Sequence, residues 1–212
     1  MLFKLPTLSR LLSFAFGMLV MCFGYAMLIK PGLGAAPWDV LHLGVALHLP
    51  FALSLVLLIA SVLVMLFNLL LSIYPSVGMV LNILLLGPLM QFTLNVVPTP
   101  RSIVARFIMV AAGILIAGLG IALYTSADLG SGPRDGMMLG LAKKLGRPVG
   151  IVKNGIDILL CLFGWWLGGP LGVGTVLAAL LTGPAVQLGY AVVRRLVCLP
   201  AMETFLTARS NS

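Results

Sequence analysis

Charge is the scarcest ingredient of this chain: 8% of its 212 residues are Asp, Glu, Lys or Arg, and only five are acidic. So little polar surface excludes a soluble globule. Histidine is nearly missing too. His42 and His48 are the whole supply, six residues apart and so not on one helical face. A histidine-centred metal site is therefore not expected, and no nucleophile-base pair is apparent. The three cysteines, Cys22, Cys161 and Cys198, have no CxxC spacing and read as packing thiols. There is no P-loop and no polar stretch long enough for a nucleotide-binding domain, which excludes ATP-driven transport by this chain alone. Gly130-Ser131-Gly132 resembles an intramembrane serine-protease loop only superficially, because the glycine spacing differs and no histidine follows it. The chain is not expected to be an enzyme, to hold a metal or to need a cofactor.

What is present is hydrophobic sequence: 61% of the residues, with a mean hydropathy of +1.17. Apolar runs near 11–29, 51–71, 77–97, 107–124, 149–167 and 172–193 are each long enough to cross ~30 Å of hydrocarbon at ~1.5 Å per residue. They predict six spans. The first exceeds the apolar core of a signal peptide and lacks a small-residue cleavage pattern, so it is read as a mature helix. The net charge of +8 comes from 13 Lys and Arg scattered along span ends, with no basic stripe for nucleic acid. With both termini in the cytoplasm, ten of them lie on that side; only Lys30, Arg101 and Arg106 lie outside, in accord with the positive-inside rule.

The chain is also written twice. Residues 10–97 align with 106–193 at a constant offset of 96, pairing Arg10 with Arg106, Pro37 with Pro133, Asp39 with Asp135 and Gln91 with Gln187. Six of the seven glycines in the first copy fall on glycines in the second, where chance would give about one. Residues 194–212 form a short polar tail. A unit of three spans inserts in opposite orientations in its two copies, so an inverted 3+3 repeat is expected. The charges agree. Trp38, Leu47, His48, Phe51 and Leu57 correspond to Arg134, Lys143, Lys144, Arg147 and Lys153, and the cationic set is the one expected to face the cytoplasm.

Between the first and second spans of each copy stands the motif L-G-x-x-P-x-D, at Leu33-Gly34-Ala35-Ala36-Pro37-Trp38-Asp39 and at Leu129 to Asp135. Proline in the first turn and an aspartate beside the free amides mark a helix start. The helices that follow, 37–48 and 133–145, are too short to cross. They are either re-entrant half-helices or interfacial ones. If both dip inward, their amino ends and the irregular backbone at Gly34, Pro37, Gly130 and Pro133 frame a midplane site. If both lie flat, Asp39 and Asp135 merely cap them.

A second motif, G-P-x-x-Q, recurs at Gly87-Pro88…Gln91 and Gly183-Pro184…Gln187, halfway along the third and sixth spans. Proline there predicts a kinked or broken helix with freed carbonyls. Gln91 and Gln187 then either line a polar path or satisfy neighbouring helices. Asp157, deep in the fifth span, is a candidate for carrying a coupling proton or cation; Lys153, four residues earlier, offers a local counter-charge instead. Asn68, Asn82 and Asn95 are expected as helix-helix contacts.

These motifs together resemble the YczE/YitT group of bacterial integral membrane proteins, most closely its YczE branch, over nearly the whole chain. The resemblance implies a compact multi-span protein of the bacterial cytoplasmic membrane, and it carries over no substrate, reaction or catalytic residue. The expected fold is an all-α polytopic membrane protein. The expected function is that of a small secondary transporter or channel, with Asp39, Asp135, Asp157, Gln91 and Gln187 as candidates for substrate or ion interaction. The alternative is a non-transporting accessory protein that holds a partner enzyme or complex. The expected partners are the lipid bilayer, a small-molecule or ion substrate and, as one arrangement, a second copy in a homodimer.

Overall fold

The computed structural model describes residues 8–196 apart from 131 and 148, so the polar tail beyond 196, with Cys198 and Arg209, lies outside the described residues, as does Lys4. Every described regular element is a helix: α1 (Leu8–Ile29), α2 (Pro37–Ala46), α3 (Leu53–Leu70), α4 (Val77–Val96), α5 (Ile103–Thr125), α6 (Pro133–Leu145), α7 (Val149–Trp166) and α8 (Val173–Leu196). Among the described residues α1, α3, α4, α5 and α8 are long and apolar enough to cross a membrane. Lipid-facing side chains explain why so many large hydrophobic residues are exposed along them, such as Leu63, Leu84, Ile108 and Leu180.

Local chemistry sets the helix ends. Pro37 and Pro133 open α2 and α6, where the missing amide would have had no partner. Ser76 and Ser102 cap α4 and α5 by accepting from the amides of Met79 and Ala105 at 3.1 and 3.2 Å. Gly146, at φ +60°, closes α6 after Lys143 and Lys144, whose charges suit the carbonyl end. Of the kink or break expected at Gly87-Pro88 and Gly183-Pro184, the break is absent, since α4 and α8 run through both prolines. Each proline removes one amide donor, which a membrane helix tolerates when packing on either side holds its axis.

The two halves of the chain correspond in backbone as well as in sequence. Gly32, Gly34 and Ser72 have φ of +68°, +120° and +61°; at an offset of 96, Asp128, Gly130 and Gly168 have +55°, +100° and +83°. This explains the one glycine without a glycine counterpart. Asp128 occupies the left-handed conformation of Gly32, which aspartate tolerates better than most residues.

At the centre α1 packs on α5. Gly17 lies on Tyr124, Gly24 on Ala117, Gly113 on the Gly24 carbonyl with Leu28 beside it, and Gly120 on Met21, so close that a Cβ on any of the four would collide with the facing helix. Residue numbers rise along one helix as they fall along the other, so the two are antiparallel. Shifting by 96 exchanges Gly17–Tyr124 with Gly113–Leu28, and Gly24–Ala117 with Gly120–Met21. Small residues that admit such approach are what membrane helices use in place of a hydrophobic drive. Phe14, Met18, Cys22, Leu57, Leu86 and Met90 fill one flank, and Leu28, Val110, Ile114, Ala178 and Ala185 the other.

Each short helix packs on the second long helix of the opposite half, α2 on α7 and α6 on α3. The loops before them are exchanged in the same way. The Gly174 amide donates to the Leu33 carbonyl and the Gly78 amide to the Leu129 carbonyl, both at 2.7 Å, so each Leu-Gly loop caps the last helix of the other half. The packing of the two halves differs at their last two long helices. α3 packs along α4, with Gly87 against the Ser54 carbonyl, whereas α7 and α8 stand largely apart and Gly183 has open space around it.

Candidate functional site

Exchange of the short helices brings the amino ends of α2 and α6 together. Their second residues, Trp38 and Arg134, are sequence counterparts, and the Arg134 guanidinium lies 5.0 Å from the Trp38 ring centre. Arg134 Nη2 also stands 3.5 Å from His42 Nδ1. His42 in turn is 3.8 Å from Asp39 Oδ1, one helical turn back on α2. Asp39 is 2% exposed and its second carboxylate oxygen has no hydrogen-bond partner. Neither Ala36 nor Gly132, the residues preceding Pro37 and Pro133, offers a capping side chain. A guanidinium without a carboxylate partner among the described residues and an unsatisfied carboxylate oxygen therefore lie on either side of His42. Buried polar groups left in that condition are exceptional in native proteins, and they suit a charged or polar guest.

Asp135 is held differently. Its Oδ2 accepts from the Tyr124 hydroxyl at 2.9 Å, which ties the start of α6 to α5. Around this pair, Thr125 and Tyr190 share a hydrogen bond at 2.7 Å between α5 and α8. Asn68 on α3 donates to the Pro133 carbonyl at 2.8 Å, while its own Oδ1 is a second buried acceptor without a partner. Asn68 thereby fixes the start of α6, as Gly164 does for α2 by letting the Val40–Leu41 backbone approach α7.

The remaining sequence candidates lie elsewhere. Asp157 is 7% exposed but paired with Lys153 on its own helix, the local counter-charge its spacing offered. Gln91 donates to Asn95 along the outer side of α4 at 3.3 Å, and Gln187 is exposed on α8. Asn82, facing Met18 of α1 at 4.0 Å, and Thr93, donating to the Cys22 carbonyl at 3.2 Å, bind α4 to α1 instead. Gly34 and Gly130 shape the exchanged loops; Gly183 and Pro184 are exposed.

His42, Trp38, Arg134 and Tyr124 escaped the sequence reading. A signal for the first was present, because His42 follows Asp39 by three residues and so shares its helical face. The second signal lay in the duplication itself. Trp38 and Arg134 hold the same place in the two copies, and a neutral aromatic matched with a cation there offered a stacking pair.

The chain's similarities bear on the fold more than on the chemistry. An uncharacterised protein of Haemophilus influenzae is 34% identical over 194 residues, covering 92% of this chain and 88% of that one. The uncharacterised membrane protein YczE of Bacillus subtilis is 32% identical over 196 residues, covering 87% and 91%. The uncharacterised protein YyaS of the same organism is 23% identical over 190 residues, covering 88% and 94%. No solved structure matches the chain. A family model described as a family of unknown function, DUF6198, matches residues 8–190, and this YczE-like membrane protein belongs to that family.

Proposed function

We propose that the protein is a small secondary transporter or channel of the bacterial cytoplasmic membrane, built as six spans in an inverted 3+3 repeat with both termini in the cytoplasm. The antiparallel α1–α5 crossing, whose contacts exchange under the 96-residue shift, supports the inversion. α7, with 18 residues, serves as the sixth span, and its Lys153–Asp157 pair lowers the cost of carrying two charges there. α2 and α6 are then re-entrant half-helices entering from opposite faces.

One observation carries the assignment of a transport site: the amino ends of these half-helices meet at Trp38 and Arg134 over the unsatisfied Asp39 carboxylate. Discontinuous helices whose amino ends converge are a recurrent way to bind a solute between repeats. The asymmetry between packed α3–α4 and separated α7–α8 supports alternating access, because two equivalent pairs that trade states open one side at a time.

A thermal-shift screen of the purified protein against a metabolite and ion library tests the site. A ligand at 100 times its Kd stabilises the fold by ~2.7 kcal/mol if it does not bind the unfolded chain. A stabilising compound is expected, and its effect should vanish in Asp39→Asn and weaken in Asp135→Asn, with both variants eluting as the wild type does. Silence across a broad library, together with copurification of a stoichiometric membrane partner, would favour the accessory-protein function instead.

A further inference from the structure

We propose that His42 is a proton-binding site that latches the two half-helices together when neutral and releases them when charged. The proposal deepens the transport site above by naming the proton as its coupling ion. A single nitrogen, Nδ1, faces two incompatible neighbours, Arg134 Nη2 at 3.5 Å and Asp39 Oδ1 at 3.8 Å. A guanidinium only donates, so contact with Arg134 requires a lone pair on Nδ1. A carboxylate only accepts, so contact with Asp39 requires a hydrogen there. Both cannot hold at once.

The neutral ring with its proton on Nε2 accepts from Arg134 and so links α2 to α6 across the repeat. When a proton arrives from water, the Nδ1 lone pair forms the new N–H bond. That N–H donates to Asp39 Oδ1, the ring becomes cationic, and Arg134 loses its acceptor and is repelled. Arg134 then leaves Trp38, and the two amino ends are no longer joined. The side chains of Asp39 and His42 are 4% and 3% exposed, so the exchange takes place away from bulk water, where a charge change has the most leverage.

The surrounding titratable groups are Asp39 on α2, Asp135 on α6, Cys22 and Tyr25 on α1, Tyr124 on α5 and Lys153 with Asp157 on α7. Tyr124 already occupies Asp135, and Lys153 occupies Asp157. Asp39 alone keeps free capacity beside the histidine.

With only two histidines, isotope-labelled histidine gives two imidazole signals in nuclear magnetic resonance of the full chain in lipid nanodiscs. His48, whose Nδ1 lies 3.1 Å from the Gly44 carbonyl, serves as the reference. From about pH 8 down to about pH 4, where carboxylates begin to protonate, His42 should pass from the Nε2-protonated tautomer to the doubly protonated ring. Trp38 emission, read in a Trp165→Phe/Trp166→Phe background, should change with the same midpoint. His42→Asn should flatten the Trp38 response, and Arg134→Gln should flatten it while His42 still titrates. A His42 that keeps one protonation state throughout, or titrates with no Trp38 response in the wild type, overturns the proposal. No solute enters this measurement, so a failed latch leaves ligand binding at Asp39 standing, and a failed ligand screen leaves the titration standing.

Discussion

Gly120→Leu is expected to yield little or no folded protein. The new side chain would start inside the backbone of Met21 and 2.8 Å from the Gly17 carbonyl oxygen, and neither is a flexible side-chain end that can swing aside. Overpacking in a core costs typically ~1–3 kcal/mol when side chains can shift; here whole helices must separate, so the loss should lie at or above the top of that range. Gly24→Leu should behave alike, because it is the counterpart contact, on Ala117. Gly183→Leu, with nothing near its Cβ position, is the matched control and should elute as the wild type does. Size-exclusion profiles and thermal midpoints in detergent decide the matter. Equal behaviour of all three variants would mean that α1 and α5 do not cross at these glycines.

The second large effect is expected at the exchanged loops. Gly34→Ala places a methyl group 2.5 Å from Thr175 Oγ1 and 2.8 Å from the Thr175 amide, in a backbone conformation at φ +120° that a side chain rarely adopts. Strain of this kind costs ~1–3 kcal/mol before any collision. The collision also threatens the Gly174-to-Leu33 hydrogen bond that ties the two halves together. Gly130→Ala meets Ser76 in the same way and should lower the melting temperature comparably. Gly32→Ala isolates the conformational part, since nothing lies within 4 Å of its Cβ position. It should cost ~1 kcal/mol, which aspartate at the counterpart position 128 shows to be bearable. A drop at Gly32 as large as at Gly34 would remove the loop exchange from the account.

Much of this architecture was legible because period and duplication survive in a nearly charge-free sequence. The observed α1, α4 and α7 begin or end within a few residues of the apolar runs, and α6 occupies residues 133–145 as its motif and apolar length indicated. The glycine pairs at 17/113 and 24/120 were visible as repeats, but that they face each other across one crossing depends on which helices meet, which no local pattern encodes. At the prolines the helices continue, for a physical reason. Proline at 88 and 184 costs one hydrogen bond, and a long helix embedded in apolar surroundings keeps the rest. At the site, the aspartates drew the eye because charge is rare in such a chain, and Asp39 does sit at the meeting point. Asp157 drew it equally and is satisfied by Lys153. Counting charges finds both; the i,i+4 spacing to Lys153 already marked Asp157 as paired, whereas the neighbours of Asp39 on α6 depend on which helices meet.

The central claim, that the two copies are inserted opposite ways up, is tested most directly by labelling a pair of counterpart residues. Leu47 and Lys143 are both exposed, one just beyond the end of α2 and the other in the last turn of α6. In a background lacking Cys22, Cys161 and Cys198, single cysteines at 47 and 143 would be treated with a membrane-impermeant maleimide in intact spheroplasts and after lysis. Leu47→Cys should react before lysis and Lys143→Cys only after it. Reaction of both from the same side would contradict the inverted repeat, and with it the convergence of the half-helices from opposite faces.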